Sequence, residues 1–116
     1  MRVLRDPVGM ALSKAVELLW RREMVIASNI ANVDTPGYRA KEFRFEGELR
    51  RALLSGRVGE AKGEVVRRPT PPKPDGNTVF LEVEIPELLR AHLKFKACLY
   101  ICAQRARMVR AAMGRR

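Results

Sequence analysis

Residues 27–38, Ala-Ser-Asn-Ile-Ala-Asn-Val-Asp-Thr-Pro-Gly-Tyr, constrain the chain more than any other stretch. They read as the last turns of a long helix followed by an abrupt turn. Ile26, Ile30 and Val33 fall on one helical face, because residues three and four apart are neighbours there. Ala27 and Ala31 border that face on one side, small enough to let another helix come close. Asn29 and Asn32 border it on the other, two amides one turn apart. Such amides can bond a partner's backbone or close the helix end. Asn32 or Asp34 can take the left-handed conformation that ends helices. Thr35 is pushed toward extended geometry by the proline that follows. Pro36-Gly37 then signals a turn, with one dihedral fixed by Pro and a positive φ open to Gly.

The helix that ends here starts at Asp6-Pro7. Asp can accept bonds from the free amides of a first turn, and Pro suits the position after it. Leu12, Val16, Leu19, Ile26, Ile30 and Val33 fit a heptad seam broken only at Glu23. A narrow seam of this kind belongs to helices that pack on helices along their length. Gly9 is a weak spot for helix propensity. A helix over residues 6–33 is a rod of about 40 Å.

A second long helix is expected over residues 86–113. Pro86 suits its first turn, and Glu82, Glu84 and Glu87 put negative charge near its positive end. Leu88, Phe95, Leu99, Cys102, Ala106, Val109 and Met113 lie on one seam, with His92 as the exception. Leu88, Ala91, Phe95, Cys98, Cys102, Val109 and Ala112 form an adjacent one. The apolar stripe is broad enough to meet more than one neighbour. Arg105, Arg107, Arg110, Arg115 and Arg116 crowd the end where cations oppose the helix dipole favourably, and Gly114 is a stop.

The middle, residues 34–85, carries less pattern. Phe45, Leu49, Ala52 and Leu53 suit one face of a short helix. Gly56, Gly59 and Gly63 then break regularity, and four prolines between Pro69 and Pro74 exclude helix or a central strand. Residues 56–78 read as a mobile or extended connector. Asp75-Gly76-Asn77 signals a turn, after which Val79, Leu81 and Val83 alternate as in a short strand. The competing reading is an extended approach to the second helix. The expected fold is mainly α: one domain over residues 1–116, built on two long terminal helices. They pack as an antiparallel coiled-coil-like hairpin, with a short helix, a Gly/Pro-rich irregular connector and at most a short strand between them.

Composition excludes several classes. No run of uncharged apolar residues is long enough to span a membrane, and the N-terminus lacks the pattern of a secretory leader. The net charge of +10 invites a nucleic-acid reading. Yet the basic residues are spread along the whole chain, aromatics are 6%, and the Asn32–Tyr38 break does not resemble a helix–turn–helix. A basic helical nucleic-acid-binding protein is therefore the alternative, and no specific nucleic acid is expected. Cys98 and Cys102 share one helical face, in a geometry that a disulfide does not fit; they read as small core residues. With one histidine, a zinc site would lack ligands. No nucleophile with a partner base and no phosphate-binding glycine loop is visible, so neither catalytic residues nor a cofactor is expected.

Ala-Ser-Asn-Ile-Ala-Asn-Val-Asp-Thr-Pro-Gly-Tyr-Arg resembles the N-terminal signature of the bacterial flagellar rod and hook proteins, Ala-Asn-Asn-Ile-Ala-Asn followed after a few residues by Thr-Pro-Gly-Tyr. Asp75-Gly76-Asn77-Thr78-Val79-Phe80-Leu81-Glu82 is similar to the Asp-Gly-Asn-x-Val-x-Leu-Glu of the proximal-rod branch. His92-Leu93-Lys94-Phe95-Lys96-Ala97 stands where that branch has Asn-Leu-x-Tyr-Gln-Ala. The chain is too short for the outer domains of the distal rod and hook. The resemblance implies a structural subunit of the proximal rod, assembling through its terminal helices into a helical tube. It marks Asn29, Ile30, Ala31, Asn32, Thr35, Pro36, Gly37 and Tyr38 as the assembly motif. It also implies export without a cleaved leader, location in the periplasmic rod of the basal body, and contacts with itself, other rod proteins and the export-gate adaptor.

Overall fold

The computed structural model describes residues 6–114. Helix α1 runs from Pro7 to Ala31, strand β1 from Lys41 to Arg44 and helix α2 from Glu46 to Leu54. A 3-10 turn at Val58–Glu60, strand β2 over Glu64–Arg67 and helix α3 over Leu81–Met113 follow. Asp6 caps α1 as its sequence position requires: its carboxylate accepts the Gly9 N–H at 2.9 Å, and Pro7 occupies the first turn. Arg105 binds the same carboxylate. That bond, and to a smaller extent the Gly9 amide, holds the Asp6 pKa below the usual carboxylate value.

The two long helices are antiparallel. Asp6 meets Arg105, Glu23 meets His92 at 2.7 Å, and Asn29 meets Glu84 at 2.9 Å, in opposite order along the two helices. Glu23 and His92 are the two polar breaks in the apolar seams, and they face each other. The molecule is elongated, 68 × 27 × 16 Å. Its core lies where the middle segment folds back on the hairpin: Leu18, Leu19, Phe43, Phe45 and Ala61 are buried together, with Val25, Leu49, Ala52, Phe95 and Cys98 packed against them. Burial also pushes the Cys98 thiol up, and Cys102 adds to this.

Within the α1 seam Leu19 and Ile26 are buried, while Leu12, Val16, Ile30 and Val33 are half-buried. On α3, Leu88, Phe95, Cys102 and Ala106 are half-buried, whereas Leu99, Val109 and Met113 are exposed. The α3 residues sunk deepest are Glu84 and Ala91, so the contact face is rotated toward the adjacent seam of Ala91, Phe95 and Cys98.

Three local expectations are corrected. The alternation at residues 79–84 is not a strand: α3 begins at Leu81, and Phe80 O accepts from the N–H groups of both Val83 and Glu84 at 2.9 Å. Pro86 therefore lies inside the helix rather than in its first turn. The carbonyl it leaves without a donor belongs to Glu82, whose exposed position lets water serve it. Second, the middle holds two strands, not at most one. β1 and β2 pair antiparallel with Lys41 opposite Arg67 and Phe43 opposite Val65. Gly63 makes this possible, since the Phe43 ring lies where a Cβ would stand, its Cζ only 2.0 Å from that point. Third, no non-glycine residue among the described residues has positive φ. Asn32 ends α1 at φ −106°, and glycines take the left-handed positions of the turns.

Candidate assembly motif

The motif closes the end of α1 and locks it to α3. Asn32 donates from Nδ2 to Ser28 O at 2.8 Å, one turn back, and its Oδ1 accepts the Thr35 hydroxyl at 3.1 Å. Free carbonyls are left at any helix end. Asn77 binds the turn just beyond that end, donating from Nδ2 to Asn32 O at 2.9 Å and to Thr35 O at 2.8 Å. Asn77 is fully buried, and its Oδ1 accepts the Val79 N–H at 2.7 Å on the approach to α3. One amide thus ties together the exit of α1 and the start of α3.

Gly37 takes φ +76°, the positive value inferred from Pro36-Gly37. Its N–H donates to Asp75 O at 2.9 Å. Gly76, at φ +84°, backs onto it so closely that a Cβ there would stand 3.4 Å from Gly37 Cα. Tyr38 carries the chain onward: its carbonyl accepts the Thr78 N–H at 3.0 Å, and its hydroxyl lies 3.3 Å from Ser28 Oγ and 3.4 Å from Asn29 Oδ1. Pro36 and Ala31 are exposed, and Ile30 is half-buried.

Asn29 is the hub. It is 0% exposed, where a rim position would have left it half in water. Its Nδ2 donates to Lys41 O at 2.7 Å and Glu84 Oε1 at 2.9 Å, and its Oδ1 accepts Lys41 N–H at 3.0 Å. The amide therefore stands in for a strand partner of β1. Glu84, also 0% exposed, faces Arg68, with Nε to Oε2 at 2.8 Å. Arg68 reaches Glu42 as well, at 3.1 Å, and its own N–H donates to Ala40 O at 2.9 Å. A buried carboxylate is tolerated when paired and hydrogen-bonded, and here α1, β1, the segment after β2 and α3 all contribute.

A second clamp joins α1 to the middle. Arg22 donates from Nε and Nη2 to Phe43 O at 3.0 and 2.8 Å, lies 4.3 Å over the Phe45 ring, and pairs with Glu46. That guanidinium holds the Glu46 carboxyl down at about 2.

Sequence reasoning named Asn29, Asn32, Thr35, Gly37 and Tyr38, and the structure brings them together. It did not place Glu84, Arg68, Asn77 or Thr78 at this site, reading Glu84 as a helix-entry charge and Asn77 as part of a turn. Glu84 had a signal: residues 84, 88, 91, 95, 98 and 102 alternate four and three apart, which puts an acid on the buried seam. Arg68, among scattered arginines, had none.

A family model described as flagella basal body rod protein matches residues 21–39, the stretch that carries the hub. The flagellar basal body rod protein FlgB of Cereibacter sphaeroides is 34% identical over 114 residues, 87% of this chain and 88% of that protein. FlgB of Salmonella typhimurium is 31% identical over 76% of this chain and 79% of its own length. FlgB of Escherichia coli K12 is 29% identical over 74% and 78%. The nucleic-acid reading of the net charge finds no support among these relatives. Identity at this level along most of both chains, with the matched motif at the hub, makes this chain a member of the flagellar basal-body rod proteins, a structural rod subunit of the proximal FlgB type.

Proposed function

We propose that this subunit enters the periplasmic rod as a preformed hairpin and contributes its terminal helices to the wall of a helical tube. One observation carries the reading: Asn29, Asn32 and Gly37 of the signature are spent inside the chain. Asn29, Asn32 and Gly37 bond to β1, the Asp75–Asn77 turn and Glu84. They hold the two helices and the middle together, leaving large apolar side chains such as Trp20, Met24, Leu89 and Leu93 exposed on the helices. Exposed apolar stripes imply a partner. Following the family resemblance, the partners are further copies, other rod proteins and the export-gate adaptor, and the chain travels without a cleaved leader. None of the described helices is long and apolar enough to cross a membrane.

The test is complementation. A tagged full-length chain is expressed in a strain lacking its own FlgB-type subunit, and basal bodies are isolated. The chain should be found in them and motility restored. Gly37→Val, strained at positive φ, should remove it from the basal bodies while the free protein keeps most of its helical circular dichroism. A folded parent chain that never enters basal bodies would overturn the proposal.

A further inference from the structure

Two apolar stripes stay uncovered once the hairpin has closed. On α1, Trp20, Met24, Ala27 and Ala31 recur at intervals of four, three and four, and all are exposed. Trp20 is the chain's single tryptophan and is 52% exposed. On α3, Leu89, Leu93, Lys96 and Tyr100 recur at the same intervals and are likewise exposed, Leu93 at 68%. This spacing is that of a heptad seam, and each stripe covers about 16 Å of helix. Neither can meet the other within one chain, because α1 and α3 already pack through different faces.

Four-three-four reads the same in both directions, so the stripes match when laid antiparallel. Ala31 then stands opposite Leu89, Ala27 opposite Leu93, Met24 opposite Lys96 and Trp20 opposite Tyr100. The sizes interlock, with small residues on one helix under leucines of the other. The Lys96 stem can lie along Met24 and bring its ammonium to the Trp20 ring. One layer further, Glu17 falls opposite Ala103, one turn short of Arg107, which is opposite in sign.

We infer that the α1 stripe of one copy docks antiparallel on the α3 stripe of the next copy in this register; the inference rests on the assembly reading above. The two surfaces differ, so the contact is heterologous and continues from copy to copy instead of closing a dimer. Two α1 stripes set against each other would put Glu17 opposite the partner's Asp34 and leave the α3 stripe bare.

Cross-linking tests the register. In full-length chains carrying Cys98→Ser and Cys102→Ser, Ala27→Cys and Leu93→Cys are made separately, mixed at high concentration and oxidised. The mixed dimer should exceed either self-dimer by about tenfold, and the same pair should cross-link in isolated basal bodies. Concentrating the parent should shift Trp20 emission to the blue. Leu89→Glu, with unchanged helix content and unchanged emission when dilute, should lose that shift. Self-dimers of the Ala27→Cys chain as abundant as the mixed dimer, absence of the mixed dimer, or a parent that never self-associates would each overturn the register. A chain present in basal bodies without the 27–93 cross-link refutes this inference alone, whereas a chain absent from basal bodies refutes the rod reading.

Discussion

At the scale of single residues, the hub concentrates the chain's polar stability. Glu84→Ala leaves Arg68 with Glu42 alone in a site that shields it from water. Breaking a buried pair from one side is costly, about 3 kcal/mol or more. Asn29→Ala leaves both Lys41 backbone groups and Glu84 short of a partner, at about 2 kcal/mol. Urea denaturation should show both losses, and the double variant should lose less than their sum because the two side chains share a bond. Glu46 gives a pH signature. Its folded pKa, about 2, lies below the ordinary 4.5, so its contribution is complete above the ordinary value and is lost as pH falls toward 2. The side chain is 59% exposed, so solvent screening keeps that contribution to a fraction of a kcal/mol. Comparing Glu46→Gln with the parent across acid pH should show a small difference that vanishes near pH 2. Glycine marks the opposite case, where the missing side chain matters. Gly63→Ala would drive a methyl into the Phe43 ring, and overpacking of this kind costs about 1–3 kcal/mol.

Elements were legible in the sequence to the degree that their own periodicity specified them. Asp6-Pro7 and the Pro36-Gly37 break bounded α1 closely, because capping and turn chemistry act within a few residues. Glu23 and His92 were visible only as flaws in two seams; their pairing needed the hairpin. The strands were missed because four residues cannot display a period. Lys41–Arg44 is a strand because Asn29 and β2 satisfy its backbone, and both lie far away in sequence. The start of α3 was misplaced for a related reason. Six alternating residues before a proline suit a strand as well as a helix, and the choice falls to Glu84, which reaches Asn29 and Arg68 from the first helical turn. The connector read as mobile over residues 56–78 has hydrogen bonds along its second half: Thr70 Oγ1 donates to Thr78 O at 2.7 Å, and Lys73 N–H to Asn77 O at 2.9 Å. The last turns of α3 run past the start of α1, and residues 107–114 are all exposed. In the free protein, amide exchange should be faster there than at residues 64–68, and exchange mass spectrometry can rank the two.

Across the whole molecule, the architecture separates a frame of fixed spacing from a segment whose length is free. The frame consists of α1, α3 and the hub that joins them at one end of a 68 Å body. Everything from Phe45 to Gly63 leaves and returns through the β1–β2 ladder, whose outermost pair is Arg44 and Glu64. The ladder acts as the stem of a closed excursion, so chain length inside it is decoupled from the spacing of the helices. Closing a longer loop on an existing stem costs little, about 0.6 kcal/mol for each doubling. Ser55 and Gly56 are exposed, and nothing lies within 4 Å of the Cβ position at Gly56. A ten-residue epitope grafted between them should leave the urea-derived stability within about 1 kcal/mol of the parent. The subunit thereby offers a port where cargo can be added without retuning the joint that orients its two arms.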